Sequence, residues 1–224
     1  MNQPEARELA RATIARLRAL PVRNVPSMRP VRQDLSRRLG GESPAAVRAV
    51  AEGLISGGVR WMGYELIHAH RATIESLAAA DVEALGEGMG SWGDVDTFGG
   101  YIAGPAWLRR QISNAVVARW TRSPDRWWRR AALVATVSLN KKSGGGTGDP
   151  GRTLEVCTRL ADDHDDMVEK ALSWALRMLV RWDAQSVADF LQSHEDVLAA
   201  RVKREVTNKL GTGLKNPRKG GRSS

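Results

Sequence analysis

The sequence contains very little cysteine and histidine. Its 224 residues include one cysteine, Cys157, which has no second thiol in the chain with which to form a disulfide. Four histidines are present, and His68 and His70 lie two residues apart, a spacing that places them on different sides of a helix. These counts exclude a cysteine-rich zinc site and argue against a histidine-rich metal centre. We therefore expect no metal.

Long apolar segments are also missing. The longest, AALVATV at 131–137, is far shorter than the ~20 residues that a membrane-spanning helix needs. Charges are scattered through residues 1–20, which lack the apolar core of a signal peptide. We therefore expect a soluble, cytoplasmic protein with no membrane partner.

Positive charge, in contrast, is abundant and arranged in blocks. Lysine and arginine total 34 against 25 acidic residues, a formal net charge of +9. Residues 106–142 hold nine basic residues and one acidic residue, and residues 201–224 hold eight and one. Such blocks are typical of surfaces that bind polyanions, because each neutralised phosphate releases condensed counterions. The charge favours nucleic acid as the partner, with a solvated arginine-rich surface as the alternative.

The residue pattern predicts an all-helical chain. Ser43-Pro44 and Ser123-Pro124 each place an N-cap before a proline, and no segment alternates with the period of two that marks a strand. The glycine-rich stretch 143–151 predicts a loop, and 211–224 predicts a disordered basic tail after a folded domain over 1–210. We expect helices over residues 4–20, 27–39, 44–56, 59–78, 81–88, 92–102, 106–121, 124–140, 153–161, 165–182, 184–193 and 195–209.

Two segments of the chain form a weak repeat. RRAALVA at 129–135 and EKALSWA at 169–175 align with an offset of 40 residues. That offset, with two helices per unit, is the spacing of HEAT-like repeats, in which helix pairs stack into a solenoid. We expect an all-α fold of HEAT-like repeats stacked into a curved right-handed superhelix, an α-solenoid, with a concave basic cleft.

The segment 165–182 has two distinct faces. One is an apolar stripe at helical spacing, formed by Val168, Ala171, Leu172, Ala175, Leu176 and Leu179. Another side, at the spacing i, i+4, i+7 and i+11, carries Lys170, Trp174, Arg177 and Arg181. Trp174 therefore lies among cations on an outward face, which favours a binding role over packing. Tryptophan is notable elsewhere too, since it supplies eight of the twelve aromatic residues.

Three segments in order carry a family resemblance. They are Trp92 followed four residues later by Asp96, the WWRRAA run at 127–132, and the KALSWALR run at 170–177. Together they resemble the DNA alkylation repair family of HEAT-like DNA glycosylases, the AlkD-type enzymes, over roughly residues 25–210. In this family a second tryptophan often precedes the functional one, where this sequence has Ser91, and Gly93 stands where a polar residue is usual.

The resemblance implies an activity and a set of site residues. It implies a monofunctional glycosylase that removes cationic N3- and N7-alkylpurines from double-stranded DNA with neither metal nor cofactor, without enclosing the base in a pocket. Asp96 would be the catalytic carboxylate, and Arg130 would contact the DNA backbone. Trp92 and Trp174 would line the cleft against the sugar and phosphate of the lesion, with Lys170 and Arg177 among the surrounding DNA-binding cations. We expect a monomer that associates with the nucleoid when bound to DNA.

The residue types suit this chemistry independently of the resemblance. Alkylation at N7 or N3 gives the purine a positive charge, so it leaves without protonation by a general acid. A carboxylate near the anomeric carbon stabilises the oxocarbenium-like sugar and positions water. Indole faces attract cationic centres by about 0.5–2 kcal/mol, and arginine and lysine hold phosphates.

Other interpretations remain open. Asp96 alone could be an acidic residue favoured in the first turn of a helix, Arg130 could be solvated, and Trp127 and Trp128 are expected to be structural. Cys157 is expected to be a buried free thiol. For the whole chain, the alternatives are a non-catalytic HEAT-like module that binds DNA or distorted nucleic acid, and an armadillo-like protein–protein scaffold. The Trp92–Asp96 pair favours the enzyme, because a carboxylate facing phosphates weakens a pure binder.

Overall fold

The computed structural model describes residues 1–217, which contain fourteen α-helices and no strand. The all-helical prediction is therefore confirmed for this part of the chain. The described helices form two compact units, which divide after Ile112. Unit 1 is residues 1–112, and unit 2 is the described part of the chain from residue 113 onwards. None of the described helices is long and apolar enough to cross a membrane.

Unit 1 comprises eight helices and a short π-helical segment. Helix α3 packs against both α1 and α4, and α4 in turn packs against α7. Asparagine and serine N-caps begin the first three helices, with proline in the first turn of each. The elements are α1 (Gln3–Arg18), α2 (Val25–Leu39), α3 (Pro44–Ser56), α4 (Arg60–Ala69), α5 (Arg71–Ser76), α6 (Ala79–Gly86), α7 (Trp92–Phe98), the π-helical Gly99–Ala103, and α8 (Gly104–Leu108).

Unit 2 comprises six helices. Helix α12 packs between α10 and α14, and every residue of α10 from Arg130 to Asn140 is buried. Because α10 and α12 carry the two repeated segments and each is preceded by a shorter helix, their arrangement agrees with HEAT-like repeats. The elements are α9 (Asn114–Trp120), α10 (Arg126–Asn140), α11 (Pro150–Arg159), α12 (Asp166–Leu179), α13 (Ala184–Ser193) and α14 (Ala200–Thr212).

Several predicted helices differ from the structure. Helix α11 begins at Pro150, inside the stretch 143–151 that was expected to be a loop, and the predicted helix 92–102 becomes π-helical after Phe98. Three other differences are larger. The segment 59–78 is two helices, because His70 leaves helical geometry and its ring nitrogen accepts a hydrogen bond from the backbone N–H of Thr73. The segment 106–121 is interrupted after Leu108, where Arg110 takes a φ of 63°. The last predicted helix begins at Ala200, five residues later than expected.

The C-terminal prediction falls partly within the described residues. Helix α14 continues to Thr212, and Lys215 Nζ lies 3.3 Å from a carboxylate oxygen of Glu205. Residues 218–224 of the expected tail lie outside the described residues. The curved superhelix and its concave cleft stay predictions.

Candidate functional site

Helix α7 carries the predicted carboxylate and one predicted tryptophan. Trp92 begins the helix, so Trp92 and Asp96 are separated by about one turn, as the spacing predicts. Ser91 is the N-cap, and its Oγ accepts a hydrogen bond of 3.1 Å from the backbone N–H of Asp94. The serine that replaces the usual tryptophan therefore has a clear structural role, because it begins the helix.

The two aspartates of α7 have different positions in the helix. Asp94 lies in the first turn and accepts a 3.2 Å hydrogen bond from the backbone N–H of Gly90. Asp96 lies in the second turn, about 200° around the helix from Asp94, and is partly exposed. The first-turn role that the sequence left open for Asp96 thus belongs to Asp94. Beside them, Trp92 is 61% exposed.

A groove of about 880 Å³ lies against α7 within unit 1. Its walls come mainly from α2, α4 and the segment that begins at Ser91. Asp96 is not among its lining residues, whereas Trp92 and Asp94 are. The lining comprises Val25, Met28, Arg29, Arg32, Trp61, Glu65, His68, Ala69, Ser91, Trp92, Gly93, Asp94, Thr97 and Tyr101.

Glu65 organises the polar part of this groove. Arg32 Nε lies 2.9 Å from its carboxylate, and the hydroxyl of Tyr101 hydrogen-bonds to it. Burial raises the pKa of Tyr101, and the negative charge of Glu65 raises it further. His68 Nδ1 lies 3.0 Å from the backbone carbonyl of Tyr101, with the two rings 5.2 Å apart. The ring of Tyr101 is thus held in place from two sides.

Sequence reasoning missed this groove. Its signal was present in α4, where Trp61, Glu65 and His68 follow the helical spacing i, i+4 and i+7. The expectation that Met62 and Tyr64 are core residues is confirmed, since both are fully buried.

Unit 2 contains a basic pocket of about 570 Å³. Four of the residues singled out from the sequence lie together in its lining, and six cations there oppose one acidic side chain. The complete lining is Arg130, Lys170, Trp174, Arg177, Arg201, Arg204, Glu205, Lys215 and Asn216. Such an excess of cations is suited to an anionic ligand.

The single acidic residue of this basic pocket is buried beneath the cations. Glu205 is 5% exposed and accepts a 2.6 Å hydrogen bond from Ser173 Oγ. Ser173 Oγ in turn accepts a 3.1 Å hydrogen bond from Nε of Arg177, which lies 3.9 Å from a carboxylate oxygen of Glu205.

The surroundings of Glu205 also shift its pKa. Burial alone would raise this pKa, but hydrogen bonds from Ser173 and Lys215 and the charges of Lys215 and Arg177 lower it below its usual value. Burial lowers the pKa of Arg177. Through these contacts, Ser173 and Glu205 hold the guanidinium of Arg177 in place.

The other predicted cations differ in burial and in their partners. Arg130 is only 5% exposed, and its guanidinium donates to the backbone carbonyl of Met167. Lys170 is exposed and pairs with Asp166 at 2.6 Å; Arg201 contacts the same carboxylate. Hydrogen bonds from Lys170 and Arg201 lower the pKa of Asp166. Trp174 is half-buried between these groups. Arg130 is thus rigidly placed, whereas Lys170 can exchange Asp166 for another anion.

The residues expected to be structural have partners of their own. The ring of Trp128 lies 5.1 Å from that of Trp120, and the Arg126 guanidinium lies 4.8 Å from the centre of the Trp127 ring. Cys157 is a buried free thiol, as predicted, and burial raises its pKa. Within residues 1–217, no three histidine, cysteine or carboxylate side chains are grouped to hold a metal ion.

Comparison with known proteins gives one match. The family model described as DNA alkylation repair enzyme matches residues 2–210, which is nearly the whole chain. No curated protein and no solved structure matches it. The match agrees with the resemblance carried by the Trp92–Asp96 pair and the two later segments. On this coverage, the chain belongs to the DNA alkylation repair enzyme family.

Proposed function

We propose that the protein is a DNA glycosylase that removes cationic N3- and N7-alkylated purines from duplex DNA. The observation that carries the proposal is the family match over residues 2–210, joined to the Trp92–Asp96 pair on α7. The family establishes a role in alkylation repair. The carboxylate in the second turn of α7, about one turn after an exposed tryptophan, supports hydrolysis of the glycosidic bond as its chemistry.

In the proposed reaction, the bond between C1′ of the deoxyribose and the alkylated purine breaks, and its electron pair neutralises the cationic base. Positive charge develops on the sugar, where the Asp96 carboxylate stabilises it. Water then forms the new bond to C1′, and its proton passes to Asp96 or to solvent. Because the base already carries positive charge, no general acid has to protonate it.

The remaining residues are assigned to DNA binding. Trp92 offers an exposed indole face that attracts a developing cation, an interaction of about 0.5–2 kcal/mol. In unit 2, Arg130, Lys170 and Arg177 would neutralise phosphates around Trp174, which binds the sugar–phosphate chain. The six cations of the basic pocket support this assignment. No cofactor enters the scheme.

The direct test is release of methylated bases. Methylated genomic DNA would be incubated with the wild type, with Asp96→Asn and with Asp94→Asn, and free 7-methylguanine and 3-methyladenine quantified. Asp94→Asn is the matched control, since it removes the same charge two residues away, on another side of α7. We expect release by the wild type and by Asp94→Asn, with a loss of about 100-fold or more in Asp96→Asn.

The other outcomes decide between the alternatives. Equal release by all three proteins would retain the glycosylase but remove Asp96 from its catalytic role. No release by the wild type, accompanied by salt-dependent DNA binding, would instead indicate the non-catalytic DNA-binding module. Binding of neither methylated nor unmodified DNA would contradict both.

A further inference from the structure

Unit 2 has a second pocket, which we call the loop pocket, where α10 and α12 end. Its volume is also about 570 Å³, and its lining comprises residues 140–143, Met178, Arg181 and Trp182. Three of these residues, Lys141, Lys142 and Arg181, are exposed cations, and no acidic side chain is among them. A cluster of cations without an opposing acid attracts an anionic ligand.

The protein itself does not use the charges of these three cations. Within residues 1–217, none of the three has an ion pair or a side-chain hydrogen bond. The nearest acids in the sequence have partners of their own. Asp149 lies 2.6 Å from Nε of Arg152, and Asp183 accepts hydrogen bonds of 2.9 and 2.7 Å from the backbone N–H and the hydroxyl of Ser186. The positive charge of the loop pocket is therefore available to an external anion.

The two lysines are also not needed to cap α10. Lysine at the C-terminal end of a helix often interacts with the last backbone carbonyls. Here Nε1 of Trp182 donates a 2.8 Å hydrogen bond to the carbonyl of Asn140, and the backbone N–H of Gly148 donates one of 3.1 Å to the carbonyl of Leu139. Because Trp182 and the glycine-rich loop satisfy this helix end, both ammonium groups can bind a ligand.

Trp182 gives the loop pocket a fixed apolar wall. The hydrogen bond to Asn140 holds its indole, and the backbone of Gly148 packs so closely that a Cβ there would lie 2.8 Å from the ring. The side chain is nevertheless 40% exposed. A fixed apolar face beside several cations suits a ligand in which apolar and anionic groups alternate. The sugar–phosphate chain of DNA has this character.

The loop pocket continues the side of α12 that carries the basic pocket. Arg181 follows Arg177 by four residues, about 6 Å along the helix axis, and Val180 between them keeps helical geometry. From Lys170 to Arg181 this side extends for about 16 Å. That length corresponds to about five phosphates of one DNA strand, at 3.4 Å each. A continuous polyanion therefore reaches both pockets, whereas a small anion would occupy only one.

We propose that the loop pocket binds the sugar–phosphate backbone of duplex DNA next to the part held by the basic pocket. Phosphates lie at Lys141, Lys142 and Arg181, and a deoxyribose packs against Trp182. The inference rests on the proposed function in taking DNA as the ligand. It requires no base to leave the helix and gives no role to Asp96.

The first test measures the salt dependence of binding to an unmodified duplex. The double variant Lys142→Ala with Arg181→Ala would be compared with the wild type by fluorescence anisotropy. The control, Arg7→Ala with Arg18→Ala, removes the same charge from exposed positions of α1. We expect the first variant to reduce the slope of log affinity against log salt concentration by about 1.8, or about 0.9 for each phosphate, and the control to retain the wild-type slope. Thermal unfolding verifies the fold of each variant.

The second test locates the contact in the wild type. Lysines would be acetylated with and without the unmodified duplex, and the modification at each lysine quantified by mass spectrometry. We expect DNA to reduce acetylation severalfold at Lys141 and Lys142, and also at Lys170 in the basic pocket. Lys203, which lines neither pocket, is the internal control and should be acetylated equally in both samples.

Two results would overturn the inference and leave the basic pocket as the proposed DNA-binding surface. One is an equal change of slope in the two double variants, including no change in either. The other is protection of Lys170 without protection of Lys141 and Lys142. Protection of all three lysines, in a protein that releases no methylated base, would support this inference while contradicting the proposed glycosylase reaction.

Discussion

At the scale of single residues, the buried carboxylate of unit 2 shows how this basic surface is built. Glu205 is buried, shares the lining of the basic pocket with six cations, and accepts a hydrogen bond from Ser173, which also accepts one from Arg177. A buried anion of this kind offsets repulsion between cations and fixes the position of Arg177. The sequence shows Glu205 only as the single acid in a basic stretch, because Ser173, which donates a hydrogen bond to it, lies on a different helix, 32 residues away.

Replacing Glu205 by glutamine should destabilise the protein at neutral pH. The change keeps the shape of the side chain but removes the charge that pairs with Lys215 and Arg177, a loss of about 1–3 kcal/mol in the free energy of unfolding. Urea unfolding at pH 7 measures it. Glu195→Gln, at an exposed position of the same unit, is the control and should change the free energy by less than about 0.5 kcal/mol.

The effect of Glu205→Gln should depend on pH in a defined direction. The pKa of Glu205 is lower in the folded protein than its ordinary value of 4.5, so its stabilisation is complete above pH 4.5 and is lost as the pH falls through the folded pKa. The stability difference between wild type and Glu205→Gln should therefore shrink as the pH is lowered below 4.5. A constant difference over that range would show that the carboxylate charge is not responsible.

At the scale of helices and loops, local signals located most elements and tertiary contacts set the rest. The predicted bounds 44–56 and 184–193 coincide with α3 and α13, since Ser43 and Asp183 are both N-caps whose side chains accept a backbone N–H. The break at Arg110 has no such signal, because a left-handed arginine is stabilised by its surroundings and not by its own preference. Likewise, the groove of unit 1 depends on three separate helices coming together.

The loop between α10 and α11 gives a test at this scale. Gly148 has a φ of +86°, and a Cβ there would lie 2.8 Å from the ring of Trp182, whose Nε1 donates a 2.8 Å hydrogen bond to the backbone carbonyl of Asn140. Gly148→Ala should therefore lower the free energy of unfolding by about 2 kcal/mol, through backbone strain and displacement of the indole.

A neighbouring glycine provides the matched control for Gly148→Ala. A Cβ at Gly144 would meet nothing within 4 Å, and its φ is not positive, so Gly144→Ala should change stability by less than about 0.5 kcal/mol. Both variants would be compared by thermal and urea unfolding. Equal stability of the two would contradict the close packing of this loop against Trp182.

At the scale of the whole molecule, composition and order of motifs were the most informative features. The net charge of +9 and the helical signals along the whole sequence indicated a basic, all-helical protein. The order of the three motifs indicated the family, and the family match over residues 2–210 agrees with it. Within unit 2, four of the residues predicted to bind DNA line one pocket, and cations outnumber acidic side chains in that pocket. The sequence could not show that Arg130 is buried against Met167, since helical spacing alone does not reveal which neighbour covers a side chain.

DNA binding by this molecule should be strongly salt-dependent. Arg204 lines the basic pocket, is exposed, and has no ion pair within the described residues. If it neutralises one phosphate, Arg204→Ala should reduce the slope of log affinity against log salt concentration by about 0.9. The slope is measured by fluorescence anisotropy with an unmodified duplex. Arg38→Ala, at an exposed position on α2, is the control, and an equal change in both variants would mean that the basic pocket has no special role.

The most direct test of the central claim separates the chemical step from DNA binding. A duplex with one 7-methylguanine would be used to measure single-turnover release of the base and, separately, the dissociation constant, for the wild type and for Asp96→Asn. The account predicts a release rate that falls by about 100- to 1000-fold, because the charge that stabilises the sugar cation is lost. The dissociation constant should stay the same or decrease, since a negative charge is removed from a surface that binds phosphates. An unchanged release rate, or a loss confined to the dissociation constant, would contradict the assignment of Asp96 as the catalytic carboxylate.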